Sequence, residues 1–288
     1  MISINTNYGG IFAAKASSQA TLRVDQAMER LSTGKRINHA RDDSAGQAIA
    51  TRLAAEIEGL AMASRNVADG QSLVDTAESA LVETHALLLR MREISVQAAN
   101  GTLSTADNTA LNAEFQQLVA EIDRISDNTS WAGTKLLNGD STGAASTSAT
   151  FAFQAGVNNT TADTISVDVS NADSETLGIR VETTPGTNDI NLDDATNAGL
   201  AIAAVDAAIA AVSTERGKLG AVSNRMSSTM ANLDQITVNL TASKGRIEDA
   251  DFAVETGNLA KGQILQQAAT AMLAQANASK QQVLTLIR

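Results

Sequence analysis

The chain has no cysteine, a single proline (Pro185) and few aromatic rings: five Phe, one Trp and one Tyr in 288 residues. Its 32 acidic residues outnumber 21 basic ones, leaving a formal charge of −11. Each scarcity removes a class of protein. Without thiols there is no disulfide framework, no thiolate metal centre and no cysteine nucleophile. Without a basic run there is no cationic face for phosphates, so no nucleic-acid partner is expected. With one proline, little interrupts long helices. With so few rings, the core must be aliphatic. The start, Met1 to Asn7, lacks the basic flank and apolar run of a secretory signal. No run of about 18 uninterrupted apolar residues occurs, so no membrane span is expected.

Catalytic motifs are equally sparse. The only histidines are His39 and His85. HExxH, GxSxG and a phosphate-cradling glycine loop are absent, so neither an enzyme nor a cofactor is expected. The oxygens of Asn188, Asp189, Asn191, Asp193 and Asp194 suit calcium. They lack the twelve-residue loop spacing and the closing Glu, and a turn with a helix N-cap is the better reading.

What the sequence has in quantity is helical periodicity. Leu53, Leu60, Val67, Val74, Leu81 and Leu88 recur every seven residues, and so do Val205, Val212, Leu219, Met226, Leu233 and Leu240. A strict seven-step keeps one seam toward a partner helix. Each run extends about 54 Å at the helical rise. One such stripe is consistent with an ordinary bundle core. Two of matched length, far apart in sequence, favour a paired antiparallel rod. A third helix reads Leu111, Phe115, Leu118, Ile122, Ile125, with Ser104 as N-cap and Asp107 three residues on. Asn100-Gly101 is its preceding helix stop.

The middle is Gly/Ser/Thr/Asn/Asp-rich. Thr150–Gln154, Thr164–Val169 and Leu177–Val181 alternate as short strands. Residues 139–149 read as an exposed loop. The expected fold is therefore mainly α: a long antiparallel coiled-coil or helical-bundle rod with a small β-hairpin region in the middle of the chain. The expected segments are 1–42 and 252–288 as paired ends, 43–138 and 194–251 as rod helices, and 139–193 as the β-like outward part.

The two ends carry little charge. From Phe252 to Arg288 only Glu255, Lys261, Lys280 and Arg288 are ionic. Their apolar seam reads Ile11 and Leu22 in the first end, and Leu265, Met272, Val283 and Leu286 in the last. An alanine-rich seam buries little area at about 25 cal/mol per Å², while ordering costs roughly 1–2 kcal/mol per residue. The ends are therefore expected to order when copies stack. Neutral Gln and Asn faces suit helix contact on several sides.

The blocks Arg30-Leu31-Ser32-Thr33-Gly34-Lys35-Arg36-Ile37-Asn38, Asp42-Asp43-Ser44-Ala45-Gly46, Arg90 to Thr102, Arg246 to Ala253 and Gln281 to Arg288 resemble bacterial flagellin in order and spacing. The resemblance implies a short-form filament subunit, secreted to the extracellular flagellum by the flagellar type III system and acting as a helical homopolymer. It implies contact with an export chaperone at the C-terminal helix, with the filament cap and with hook–filament junction proteins. It also implies that Arg90, Ile94 and Glu114 form a patch for axial contact and for the flagellin-sensing Toll-like receptor, Ile94 standing where the family usually has Leu. The two seven-step stripes become subunit-packing seams and the terminal seam an inner layer. A hook-associated adaptor of the same superfamily and a surface adhesin are the alternatives.

Overall fold

The computed structural model describes residues 6–139, 148–180, 190–193 and 195–286, with the side chains of 195 and 280–286 left out. Helix accounts for 74% of it, in five long helices, and the fold is mainly α. These are α1 (Tyr8–Thr33), α2 (Ser44–Ala98), α3 (Thr105–Asn128), α4 (Ala195–Glu248) and α5 (Phe252–Leu286). Local sequence sets their ends. Asn7 Oδ1 accepts from Gly10 N–H at the start of α1. Gly34 closes that helix at φ 71°, a conformation only glycine takes without strain. Asp43 Oδ1 accepts from Gly46 N–H to start α2. Ser104 and Asp107 form a reciprocal capping box on α3.

The chain forms two units, one from the segments up to Ile57 and from Val238 onward, the other from Glu58 to Thr237. In the first, α1 and α5 run antiparallel: Asn7 bonds Asn277, Gln266 donates to Thr21, and Arg30 pairs with Glu255. The seam is built of small residues. Ala13, Ala20 and Ala27, seven apart, are buried, as are Gly262 and Ala269 opposite. A Cβ on Gly262 would stand 2.8 Å from Val24 Cγ2, so glycine sets how closely the helices approach. The connection from α1 to α2 is tied to the end of α4. Lys35 bridges Asp249, Ala250 N–H donates to Gly34 O, and Lys35 Nζ reaches Glu248 at 2.6 Å.

In the second unit, α2 and α4 are also antiparallel: Arg92 meets Asp206, Glu78 meets Arg216, and Gly70 faces Met226. Leu60, Val67, Val74, Leu81 and Leu88 of α2 are buried here, with Val205, Val212, Leu219, Met226 and Leu233 of α4 and Phe115 and Ile122 of α3. Strands β1 (Ser130–Trp131) and β2 (Thr134–Lys135) make a tight hairpin through Ala132 and Gly133, both at positive φ. Strands β3 (Ser148–Gln154) and β4 (Thr164–Ser170) pair antiparallel with Phe151 opposite Val167. Ile165, Val167 and Val169 form the buried face of β4. Gly59 and Gly70 give α2 a surface against which Val157 and Phe153 lie close.

Two expectations are corrected. Leu177–Arg180 is not a strand: Asp173 caps Thr176 N–H and Ile179 N–H returns to Ser174 O, so the segment coils into a turn with Gly178 at φ 68°. Val181 lies outside the described residues, as does most of the expected 139–149 loop, whose last two residues belong to β3. One helix also meets the length and composition of a membrane span, within Thr196–Glu248. Of its larger apolar side chains, Val205 and Val212 turn toward the unit's own core and Ile202 and Ile209 lie half-buried beside it, while Leu200 and Val238 are exposed. Alanine supplies the rest of its hydropathy.

Candidate functional site

The α1–α5 pair presents an inverted distribution of side chains. Alanine and glycine fill the seam between the helices, while Tyr8, Phe12, Ile264, Phe252 and Val254 stand out in water, Phe12 at 75% exposure and Ile264 at 66%. Uncovered apolar side chains in this number mark a contact surface. Along one flank runs a groove of about 400 Å³ lined by Gly9, Phe12, Ala16, Leu265, Met272 and Gln275. It continues into a polar cleft of about 260 Å³ bounded by Arg23, Arg30, Glu255, Lys261 and, again, Leu265.

The terminal seam read from the sequence does not lie between α1 and α5. Ile11, Leu22, Leu265 and Met272 are exposed; Val283 and Leu286 fall among residues whose side chains are not described. The larger side chains are excluded because the helices approach at glycine and alanine distance. The repeat Ala13, Ala20, Ala27 was the available signal. The two long stripes are corrected. Leu60 to Leu88 and Val205 to Leu233 are 0–6% exposed in a single chain, so they cannot touch a neighbour. Leu53 and Leu240 are half-buried. These residues form an intramolecular core rather than a subunit-packing seam.

The Arg90 patch is present and exposed. Arg90 donates Nη2 to Glu114 Oε1 at 2.8 Å and Nη1 to Glu93 Oε2 at 3.0 Å. The bond to Glu114, and then that to Glu93, raises the arginine's pKa. Arg92 reaches Asp206 at 2.6 Å, which raises its own. Ile94 departs from the expectation. At 1% exposure it packs inward in step with Met91 and Ala98 and is not part of the surface.

Chemistry is thin elsewhere. Among the described residues no group of three His, Cys, Asp or Glu side chains is placed to hold a metal. Of the calcium-like run, Asn188, Asp189 and Asp194 lie outside those residues, and Asp193 accepts from Asn112. His39 pairs with Glu29 at 2.8 Å, and His85 is half-buried on α2. Buried Glu215 is spent on Ser170, taking its N–H and its hydroxyl.

A mainly helical chain with paired ends, an uncovered apolar flank and a self-contained middle is a structural protein built for contact. Residues 4–142 match the family model for the bacterial flagellin N-terminal helical region and residues 202–287 that for the bacterial flagellin C-terminal helical region, and the chain belongs to the bacterial flagellin family. It is 46% identical over 263 residues to a flagellin of Halalkalibacterium halodurans, covering 91% of each chain. It is 38% identical over 294 residues to the flagellar filament 33 kDa core protein of Treponema phagedenis, covering 99% of each. Its fold is similar to that of a putative flagellar hook-associated protein from Vibrio parahaemolyticus, with a TM-score of 0.57 and 15% identity, over 72% of this chain and 100% of that one. Flagellins are structural proteins of the extracellular flagellar filament and not enzymes.

Proposed function

We propose that this chain polymerises through its α1–α5 pair into the flagellar filament that drives swimming. The observation that carries the reading is the apolar surface left uncovered on those two helices while the core of the second unit is closed. Burial of Phe12, Leu22, Ile264 and Met272 against neighbouring copies supplies the driving force that the alanine seam lacks. Residues 1–42 and 252–288 form the inner layer in this reading, and the segments between them pack around it. The family relationship supports the finer parts: export through the flagellar type III system, a chaperone on α5 before export, and docking at the filament cap and at the hook–filament junction. The charged patch at Arg90 and Glu114 serves as the axial contact in the polymer and as the Toll-like receptor surface in the free subunit.

The test is to remove residues 1–33 and 252–288 and look for fibres by negative-stain microscopy under conditions where the full chain forms them. The trimmed chain is expected to form none. Fibres of normal length would overturn the reading.

A further inference from the structure

The groove on the α1–α5 pair changes character along its length. Its first half is apolar at Phe12 and Met272; its second half is cationic at Arg23, Arg30 and Lys261, and Leu265 borders both. Phe12, Ala16, Arg23 and Arg30 follow one another at steps of four, seven and seven, so they share one face of α1. Only Arg30 is neutralised there, by Glu255. Arg23 and Lys261 take part in no ion pair or hydrogen bond, and the buried Nε of Arg30 has no acceptor. Two uncompensated cations in a concave site focus positive potential on whatever enters it.

The face of α1 turned away from α5 carries the complement. Ile11, Ser18 and Asp25 recur at steps of seven, interleaved with Leu22 and Glu29. Asp25 is exposed and unpaired, and it sits about 200° around the helix from Arg23. Ile11 and Asp25 are separated by about 21 Å of helix. The apolar start of the groove at Phe12 and the middle of its cationic half, between Arg23 and Arg30, are separated by nearly the same length. Helix α5 offers no alternative donor face, since its single acid within Phe252–Leu286, Glu255, is buried and already paired.

We infer that the groove receives the back of α1 from a second copy, laid parallel, with its Ile11 on the apolar half and its Asp25 between Arg23 and Lys261. This rests on the α1–α5 pair being the polymerising element and names which face meets which. Lys15 lies on the same back stripe, and its four-carbon stem carries the ammonium to water. Donor and acceptor faces are different surfaces of one helix pair. The contact is therefore heterologous: every copy gives one face and receives one, which propagates a polymer instead of closing a dimer.

The test uses the full chain with Arg23→Glu and Asp25→Arg, each alone, mixed in equal amounts, and combined in one chain. Each reversal alone is expected to raise the concentration needed for fibre growth at least about tenfold, because like charges then face each other. The equal mixture and the double variant restore growth, because residue 25 again meets an opposite charge at position 23 across every contact. A single reversal that grows at the parent's concentration, or a mixture no better than its components, overturns the pairing. The chain trimmed of α1 and α5 separates the two levels. If it polymerises, the underlying reading falls as well. If it does not while Arg23→Glu does, only this pairing falls.

Discussion

Arg30 and Glu255 lie 225 residues apart and meet at 2.9 Å, joining the last third of α1 to the first turn of α5. The carboxylate is nearly buried, and its second oxygen accepts from Asn258 at 3.2 Å. Removing it would strand a guanidinium whose Nε already lacks an acceptor. Glu255→Ala is therefore expected to weaken the pair by about 1–3 kcal/mol, with a roughly five- to 150-fold rise in the concentration needed for assembly at roughly 1.4 kcal/mol per decade. Glu255→Gln keeps the shape and a hydrogen bond to Arg30 and should cost less. Polymerisation curves for the two variants check the ordering; equal losses would show that the charge, and not the shape or the hydrogen bond, carries the contact.

Gly70 tests the core of the second unit. A Cβ there would stand 2.9 Å from Met226 Cε and 3.0 Å from the Phe153 ring. The methionine end can move, but the ring is rigid and held by strand pairing. Alanine favours the helix by about 1 kcal/mol, which offsets part of an overpacking cost of about 1–3 kcal/mol. Gly70→Ala is expected to be slightly destabilising and Gly70→Val strongly so, read as successive falls in the thermal midpoint of the monomer.

The patch on α2 separates contact from packing. Arg90→Ala is expected to leave the thermal midpoint within error, since solvent screens an exposed ion pair, and to reduce receptor signalling by free subunits. Ile94→Ala, at a fully buried position, should cost about 2–5 kcal/mol and alter signalling only through stability. Reporter-cell signalling and melting of the same preparations check both. An Arg90→Ala subunit that signals like the parent removes the receptor proposal.

Most of the helices are legible in the sequence. The seven-step stripes set α2 and α4, the Ser104–Asp107 signature set the start of α3, and two of the three alternating runs became β3 and β4. The matched lengths of the stripes also point to each other as partners, as α2 and α4 are; only the family resemblance cast them as subunit-packing seams, because periodicity reports that a face is buried and not whether a second copy covers it. Ile94 was misplaced because family resemblance carries a role without an orientation, although its step from Met91 already aligned it with the core. The Ala13–Ala20–Ala27 seam was hidden by the small area of alanine beside larger residues such as Leu22, which dominate any reading by hydrophobicity. The β1–β2 hairpin has strands of two residues and leaves no periodic trace.

The cap of α3 gives a pH signature. The hydroxyl of Ser104, and then its backbone N–H, bond the Asp107 carboxylate and lower its pKa below the ordinary 3.8. A carboxylate held lower in the folded state contributes stability above the unfolded value and loses it as pH falls through the lower folded value. Protection of the amides in the first turn of α3, measured against their intrinsic exchange at the same pH, should therefore fall once pH drops below about 3.8. Asp107→Asn should remove that acid transition and leave the rest of the helix unchanged. A transition that persists in the Asn variant would locate the titration elsewhere.

The terminal helices should differ most between free and assembled protein. Within one chain, α1 gains a seam of alanine methyls and two glycines, and each methyl buries little area at about 25 cal/mol per Å². Fixing each residue costs roughly 1–2 kcal/mol of backbone entropy. The large side chains able to offset that cost, Phe12, Leu22, Ile264 and Met272, face outward. Hydrogen exchange on soluble subunits is thus expected to be fast at residues 8–33 and 252–279 and slow around Leu81, Leu88, Val205 and Val212, whereas fibres should protect both regions. Slow exchange at the ends of the free subunit would mean that the alanine seam suffices by itself, and the uncovered apolar flank would lose its role as the source of polymer stability.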